Sequence, residues 1–186
     1  LARVQASLYF MNNIADETIF NRARRQVLIN AVPFVVLFLI FVGVTLTADG
    51  YELNPVNGEV FVRKYKYFFN LIEMPWVAVM FLIGVVSVLY AIIRAAFSKT
   101  WICGIWYSGI GTVLVVLSLF FLAGYNNPPY YPSAVDLQSS LTIYNSSSSL
   151  FTLEVMTVVS FLVPFVLAYI VYAWRAMDKK PITEQE

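Results

Sequence analysis

Four stretches of this chain, 27–47, 75–93, 102–122 and 155–174, are predominantly apolar. Each runs for about the 20 residues that an α-helix needs to cross a hydrocarbon layer roughly 30 Å thick. They leave no room for a soluble domain. The charged share of 12% agrees, since ordinary soluble domains carry about 25%. The expected fold is an all-α membrane protein: an antiparallel transmembrane bundle of four full spans. The start, "LARVQASLYF", spaces Leu1, Val4, Leu8 and Phe10 as on a helix and lacks the pattern of a signal peptide. It is read as the end of a fifth, truncated helix. Residues 1–26 are then that helix end plus a cytoplasmic connection, 27–174 the four-span region, and 175–186 a cytoplasmic tail.

A net charge of +1 gives no basic field for nucleic acid. With one cysteine, Cys103, and no histidine, intrachain disulfides and Cys/His metal clusters are excluded by counting.

Orientation follows from basic residues, which concentrate on the cytoplasmic side. Arg3, Arg22, Arg24, Arg25, Arg94, Lys99, Arg175, Lys179 and Lys180 share one side, against Arg63, Lys64 and Lys66 on the other. Both ends of the chain are therefore expected in the cytoplasm.

The short "AAFSKTW" connection makes a hairpin of the second and third spans. Gly84, Ser87, Ala91 and Ala95 on one and Gly104, Ser108 and Thr112 on the other form small-residue stripes that let backbones approach in lipid. The first external loop, 48–74, has turn signals at Asn54-Pro55 and Asn57-Gly58. It continues as "EVFVRKYKYFFNLIEM", with Phe61, Tyr65, Phe68, Phe69 and Ile72 on one helical face and Arg63, Lys66 and Asn70 away from it. This predicts a short helix lying in the membrane interface. Trp76, Tyr125, Tyr130 and Tyr131 at one edge, and Trp101 and Trp174 at the other, read as aromatic belts.

The serine run of "NSSSSLFTLEVM" reads as a boundary turn. Ser149 or Thr152 would cap the last span, and Glu154 would sit in its first turn, favoured by the helix dipole. Asn145-Ser146-Ser147 matches a glycosylation acceptor, at close to chance in such a run.

Catalytic membrane proteins carry costly ionisable groups within their spans. Here Glu73, Arg94 and Glu154 all fall at or near span ends, where a structural role accounts for them. Haem ligation would have to use Met80, Met156, Cys103 or a tyrosine; a lone membrane methionine is usually packing. Asn30, Pro33 and Pro164 read as helix bends. No catalytic, cofactor-binding or metal residue is assigned.

The stretches "PSAVDLQSSLTIYNSSSSLFTLEVMTVVSFLVPFVLAYIVYAWR" and "NPVNGEVFVRKYKYFFNLIEMPW", with the early "RARRQ", resemble the C-terminal half of subunit II of cytochrome bd-type quinol oxidases. That resemblance covers essentially the whole chain. It implies a structural, accessory segment of a heterodimer in the bacterial cytoplasmic (inner) membrane that oxidises quinol and reduces dioxygen to water. Haem b and haem d would belong to the partner, subunit I. The other partners implied are the missing N-terminal half of the same subunit and membrane lipids, with no nucleic acid. Two other readings start from the residues: half of a small-molecule or ion transporter, if Asn30, Ser87, Ser108 and Thr112 converge near the midplane, or a passive assembly module.

Overall fold

The computed structural model describes residues 1–98, 101–143 and 145–177. Lys99, Lys179, Lys180 and most of the expected tail lie outside them. The fold is the all-α membrane bundle expected, with one small hairpin. Helix α1 spans Ala2–Asn13 and α2 spans Glu17–Thr47. Strands β1 (Gly50–Leu53) and β2 (Val60–Arg63) follow, then α3 (Lys66–Glu73), α4 (Pro75–Phe97), α5 (Gly104–Gly124), a 3-10 turn (Leu137–Ser139) and α6 (Leu150–Met177). Helices α2, α4, α5 and α6 are each long and apolar enough to cross a membrane.

Helix α2 begins ten residues before its apolar stretch. Asp16 caps it, its Oδ1 accepting from the Ile19 amide at 2.8 Å, and Glu17 adds a favourable charge to the first turn. Helices α2 and α6 run on through Pro33 and Pro164. Helix α1 lies antiparallel to α2, with Val4, Leu8 and Met11 buried against Ala23, Val27 and Ala31. The same core takes Val88, Ala91, Ile92 and Ala95 of α4. At its end, Arg24 Nε donates to the Ala96 carbonyl at 2.8 Å, satisfying an acceptor in the last turn of α4.

The α4–α5 hairpin is the most extensive helix pair in the fold. It closes on glycine against glycine: a Cβ on Gly84 would come within 2.8 Å of the Gly111 carbonyl oxygen. The expected stripe on α4 is correct for Gly84, Ala91 and Ala95, all buried. On α5 the seam passes through Gly111 and not through Gly104 or Thr112, because Gly104 packs on Leu8 of α1 and Thr112 bonds to Gln5 of α1.

Three other expectations change. The segment 59–74 is not one helix: its first part pairs as β2 with β1, Glu52 opposite Phe61, and the helix starts at Lys66. Helix α6 starts at Leu150, so Glu154 falls beyond the first turn, while Ser149 holds the capping position, with its Oγ 3.4 Å from the Thr152 amide. No residue of α6 is buried, and it makes no extended packing against the other helices.

Candidate functional site

The densest polar assembly sits at the C-terminal end of α5. Helix α3 presents Phe68, Phe69 and Ile72 outward and buries Lys66 and Asn70 completely. The sequence pattern located its two faces correctly, but the polar face meets protein, not water. Gly50 allows this approach: a Cβ there would stand 2.8 Å from Lys66 Cβ.

Buried Lys66 donates from Nζ to Glu52 Oε1 at 2.9 Å and to the Asn126 carbonyl at 3.4 Å. Arg63 reaches Glu52 at 3.0 Å and Glu73 at 3.7 Å, with its guanidinium 5.0 Å from the centre of the Phe69 ring. Asn70 Nδ2 donates to the Leu122 and Tyr125 carbonyls at 2.9 and 3.1 Å, so α3 caps the C-terminus of α5. Asn126 closes the circuit, its Nδ2 donating to Asn70 Oδ1 at 2.8 Å and to Glu73 Oε2 at 2.6 Å. Asn126 and Asn127 both adopt left-handed backbone, φ 68° and 70°, which asparagine tolerates better than most residues. Gln138 fastens the loop between α5 and α6 to β2, bonding both the amide and the carbonyl of Val60 at 3.0 and 3.1 Å.

Burial opposes ionisation of the Glu52 carboxyl, but hydrogen bonds from Lys66 and Arg63, and their charges, outweigh it and hold its pKa below the ordinary value. Each residue of this circuit is engaged by another. The arrangement is a clamp on the loops at this end of the bundle.

A second polar line runs inside the bundle. Gln5 Nε2 donates to Thr112 Oγ1 at 2.9 Å, and Thr112 Oγ1 donates to the Ser108 carbonyl at 2.7 Å. Ser108 Oγ is buried without a hydrogen-bond partner. Ser87 lies against Gly111, on the other side of the same seam. Asn30 does not join them: its Nδ2 bonds to the carbonyl and side chain of Gln26 on its own helix, and it lines a different cavity. The four polar residues of the transporter reading therefore do not converge.

Met80 lies in the second turn of α4, Cys103 precedes α5 at the other end of the hairpin, and Met156 is exposed on α6. These three candidate donors do not converge on one point. Among the described residues no three His, Cys, Asp or Glu gather as for a metal ion. Asn145 is spent within its loop, accepting from the Thr142 amide at 2.7 Å and donating to the Ser140 carbonyl at 2.9 Å.

One residue escaped the sequence reading. Arg3 was grouped with the cytoplasmic charges, yet α1 carries it alongside Asn30 and Pro33, within the apolar stretch of α2. The antiparallel fit of Val4 and Leu8 to Val27 and Ala31 was the signal that could have placed it.

The family model for cytochrome bd terminal oxidase subunit II matches residues 1–177. The chain belongs to that family. Among curated proteins, the "Probable cytochrome oxidase subunit 2" of Haemophilus influenzae is 30% identical over 176 residues, covering 87% of this chain. The chain spans 44% of that relative's length. In this subunit II chain the polar clamp and the glycine seam are thus parts of a terminal oxidase subunit.

Proposed function

We propose that this chain is a structural, non-catalytic segment of a bd-type terminal oxidase whose complex couples quinol oxidation to the reduction of dioxygen to water. The family match over residues 1–177 carries the reading. What the chain's own residues do is hold shape: the Gly84–Gly111 seam fixes the α4–α5 hairpin, and the Glu52–Lys66–Asn70–Asn126 circuit locks the external loops onto it. Haem b and haem d belong to subunit I, the partner in a heterodimer. The fully exposed α6 and the half-length α1 are then the surfaces that meet subunit I and the N-terminal half of this same subunit.

Isolating the complex from native membranes through this chain tests the reading. Reduced-minus-oxidised bands of haems b and d, with a larger co-purifying chain, are expected. A colourless preparation without a partner would overturn it.

The complex sits in the bacterial cytoplasmic membrane with both ends of this chain inside. Cys103, exposed just before α5, reports on this directly because it is the single cysteine. A membrane-impermeant maleimide should label it in inverted vesicles and not in right-side-out ones. The reverse pattern would invert the topology.

A further inference from the structure

Helix α3 is amphipathic the wrong way round for water. Its polar residues Lys66 and Asn70 are fully buried, while Tyr65 at its start and Phe68, Phe69 and Ile72 along it stand 41–60% exposed. A surface helix in water turns its charged face outward and its apolar face to the core. Here the polar face is taken up by Glu52 and by the carbonyls of Leu122, Tyr125 and Asn126. The outward face therefore calls for an apolar medium.

The level of the helix says which one. Helix α5 has 21 residues, about 32 Å at 1.5 Å each, which matches a hydrocarbon core roughly 30 Å thick. Its last carbonyls, at one edge of that core, are the ones α3 caps. Met74 both ends α3 and begins α4, and Leu71 shares a small cavity with Thr45 and Leu46 near the end of α2. Helix α3 thus lies across the ends of three spans. Trp76, edge-on to Phe121 at 4.9 Å and to Tyr125 at 6.4 Å, marks the same level with the aromatic residues of a membrane boundary. At the rim of the patch, Arg63 holds its guanidinium 5.0 Å from the centre of the Phe69 ring, as a cation does where apolar side chains give way to headgroups.

A protein partner fits the patch less well. At about 200 Å² for each side chain of this size, the four expose about 400 Å² in all. That is half of the roughly 800 Å² that each side of a stable protein interface buries. Acyl chains need no such minimum, and interfacial helices lie with their apolar face roughly 5–10 Å deep in the boundary.

We propose that α3 is an inverted interfacial helix: lipid acyl chains at the headgroup boundary cover Tyr65, Phe68, Phe69 and Ile72, and the bilayer thereby holds the polar clamp closed from outside. The contact is apolar, so it selects no particular headgroup. It holds whatever reaction the complex performs.

The test uses the wild-type complex, isolated from native membranes and reconstituted in phosphatidylethanolamine and phosphatidylglycerol vesicles. These carry a phosphatidylcholine with a diazirine near the carboxyl end of one acyl chain. Illumination inserts the carbene into side chains that touch the lipid, and peptide mass spectrometry locates the adducts. Adducts on Phe68, Phe69 and Ile72 are expected, with none on Val56 and Val135, which are exposed in the loops. An α3 as free of label as those two valines overturns the proposal, whether water or another protein chain covers it. The hold on the clamp is read separately. Phe68→Asn with Ile72→Asn leaves every clamp residue in place and should raise amide hydrogen exchange at Tyr125 and Asn126 several-fold in the same vesicles; unchanged exchange overturns that part. Should the double variant fail to accumulate, the labelling of the wild type decides.

Discussion

Replacing Gly111 by alanine adds one methyl group where two backbones touch. That carbon would lie 2.7 Å from the Gly84 carbonyl oxygen, 2.9 Å from Val88 Cγ2 and 3.0 Å from Ser87 Cβ. Comfortable carbon contacts begin near 3.5 Å, and a helix carbonyl cannot swing aside. Helices α4 and α5 must therefore part by somewhat under an ångström along the seam. A gap of that size forfeits about a quarter to a half of each dispersion contact it opens. Overpacking of this kind costs about 1–3 kcal/mol. Gly109, two residues earlier on the same helix, has nothing within 4 Å of its would-be Cβ. There the same substitution keeps only its helix-propensity gain, up to about 1 kcal/mol by soluble-helix scales. The propensity gain is common to both substitutions, so the overpacking at Gly111 alone should separate the two variants, by about 1–3 kcal/mol. Unfolding of the assembled complex in one detergent, by heat or by a chaotrope, measures the difference. If the two alanine variants agree within about 0.5 kcal/mol, the hairpin does not close at Gly111 and the packing argument fails.

The polar clamp and the cap of α2 supply the other expectations. Lys66→Met strands a largely buried Glu52 that keeps Arg63, so the loss should be about 2–3 kcal/mol, below the 3–5 of a fully broken buried pair; near-wild-type thermal unfolding would show that the ion pair holds nothing. Asn70→Leu removes two caps from the end of α5 and should speed amide hydrogen exchange at Tyr125 and Asn126, leaving the middle of α4 unaffected. Because folding lowers the pKa of Glu52, its contribution is complete above the ordinary value of about 4.3 and is lost as pH falls through the lowered one. Protease resistance of the 48–74 loop should be level from neutral pH to about 5 and fall under stronger acid, and Glu52→Gln should flatten that slope; an unchanged slope would place the sensitive group elsewhere. Asp16→Ala should cost about 0.5–2 kcal/mol through the lost cap of α2, read as fraying at Glu17 to Phe20 in hydrogen exchange.

The apolar stretches announced the spans because a bilayer demands them, and three of the four end within a few residues of their helices. Hydropathy marks lipid, however, and not backbone geometry. Helix α2 extends to Glu17 through charged residues that Asp16 caps, and that cap was visible in the sequence. For α3 the periodicity separated the two faces correctly while leaving open what each would meet. Lys66 and Asn70 turn inward because carbonyls more than fifty residues later need donors, and no local pattern records such partners. The glycine seam was legible as a stripe on α4 but misassigned on α5, where Gly104 packs on Leu8 and Thr112 obeys the spacing and answers to Gln5 instead. Arg3 shows the same limit: its depth comes from the helix it lies against. For α6, composition located an apolar span at 155–174, while the helix runs from Leu150 to Met177 and none of its residues is buried.

The capping of α5 by α3 has a consequence for how the chain is built. Residues 48–74 leave the ribosome long before Leu122 and Tyr125, so Lys66 and Asn70 reach their side of the membrane with no carbonyls to meet. The loop must wait, hydrated and open, while α4 and α5 insert as a pair. Docking of the hairpin and α3 is therefore a late event in biogenesis, a closing step that can occur only after the third apolar helix is in place.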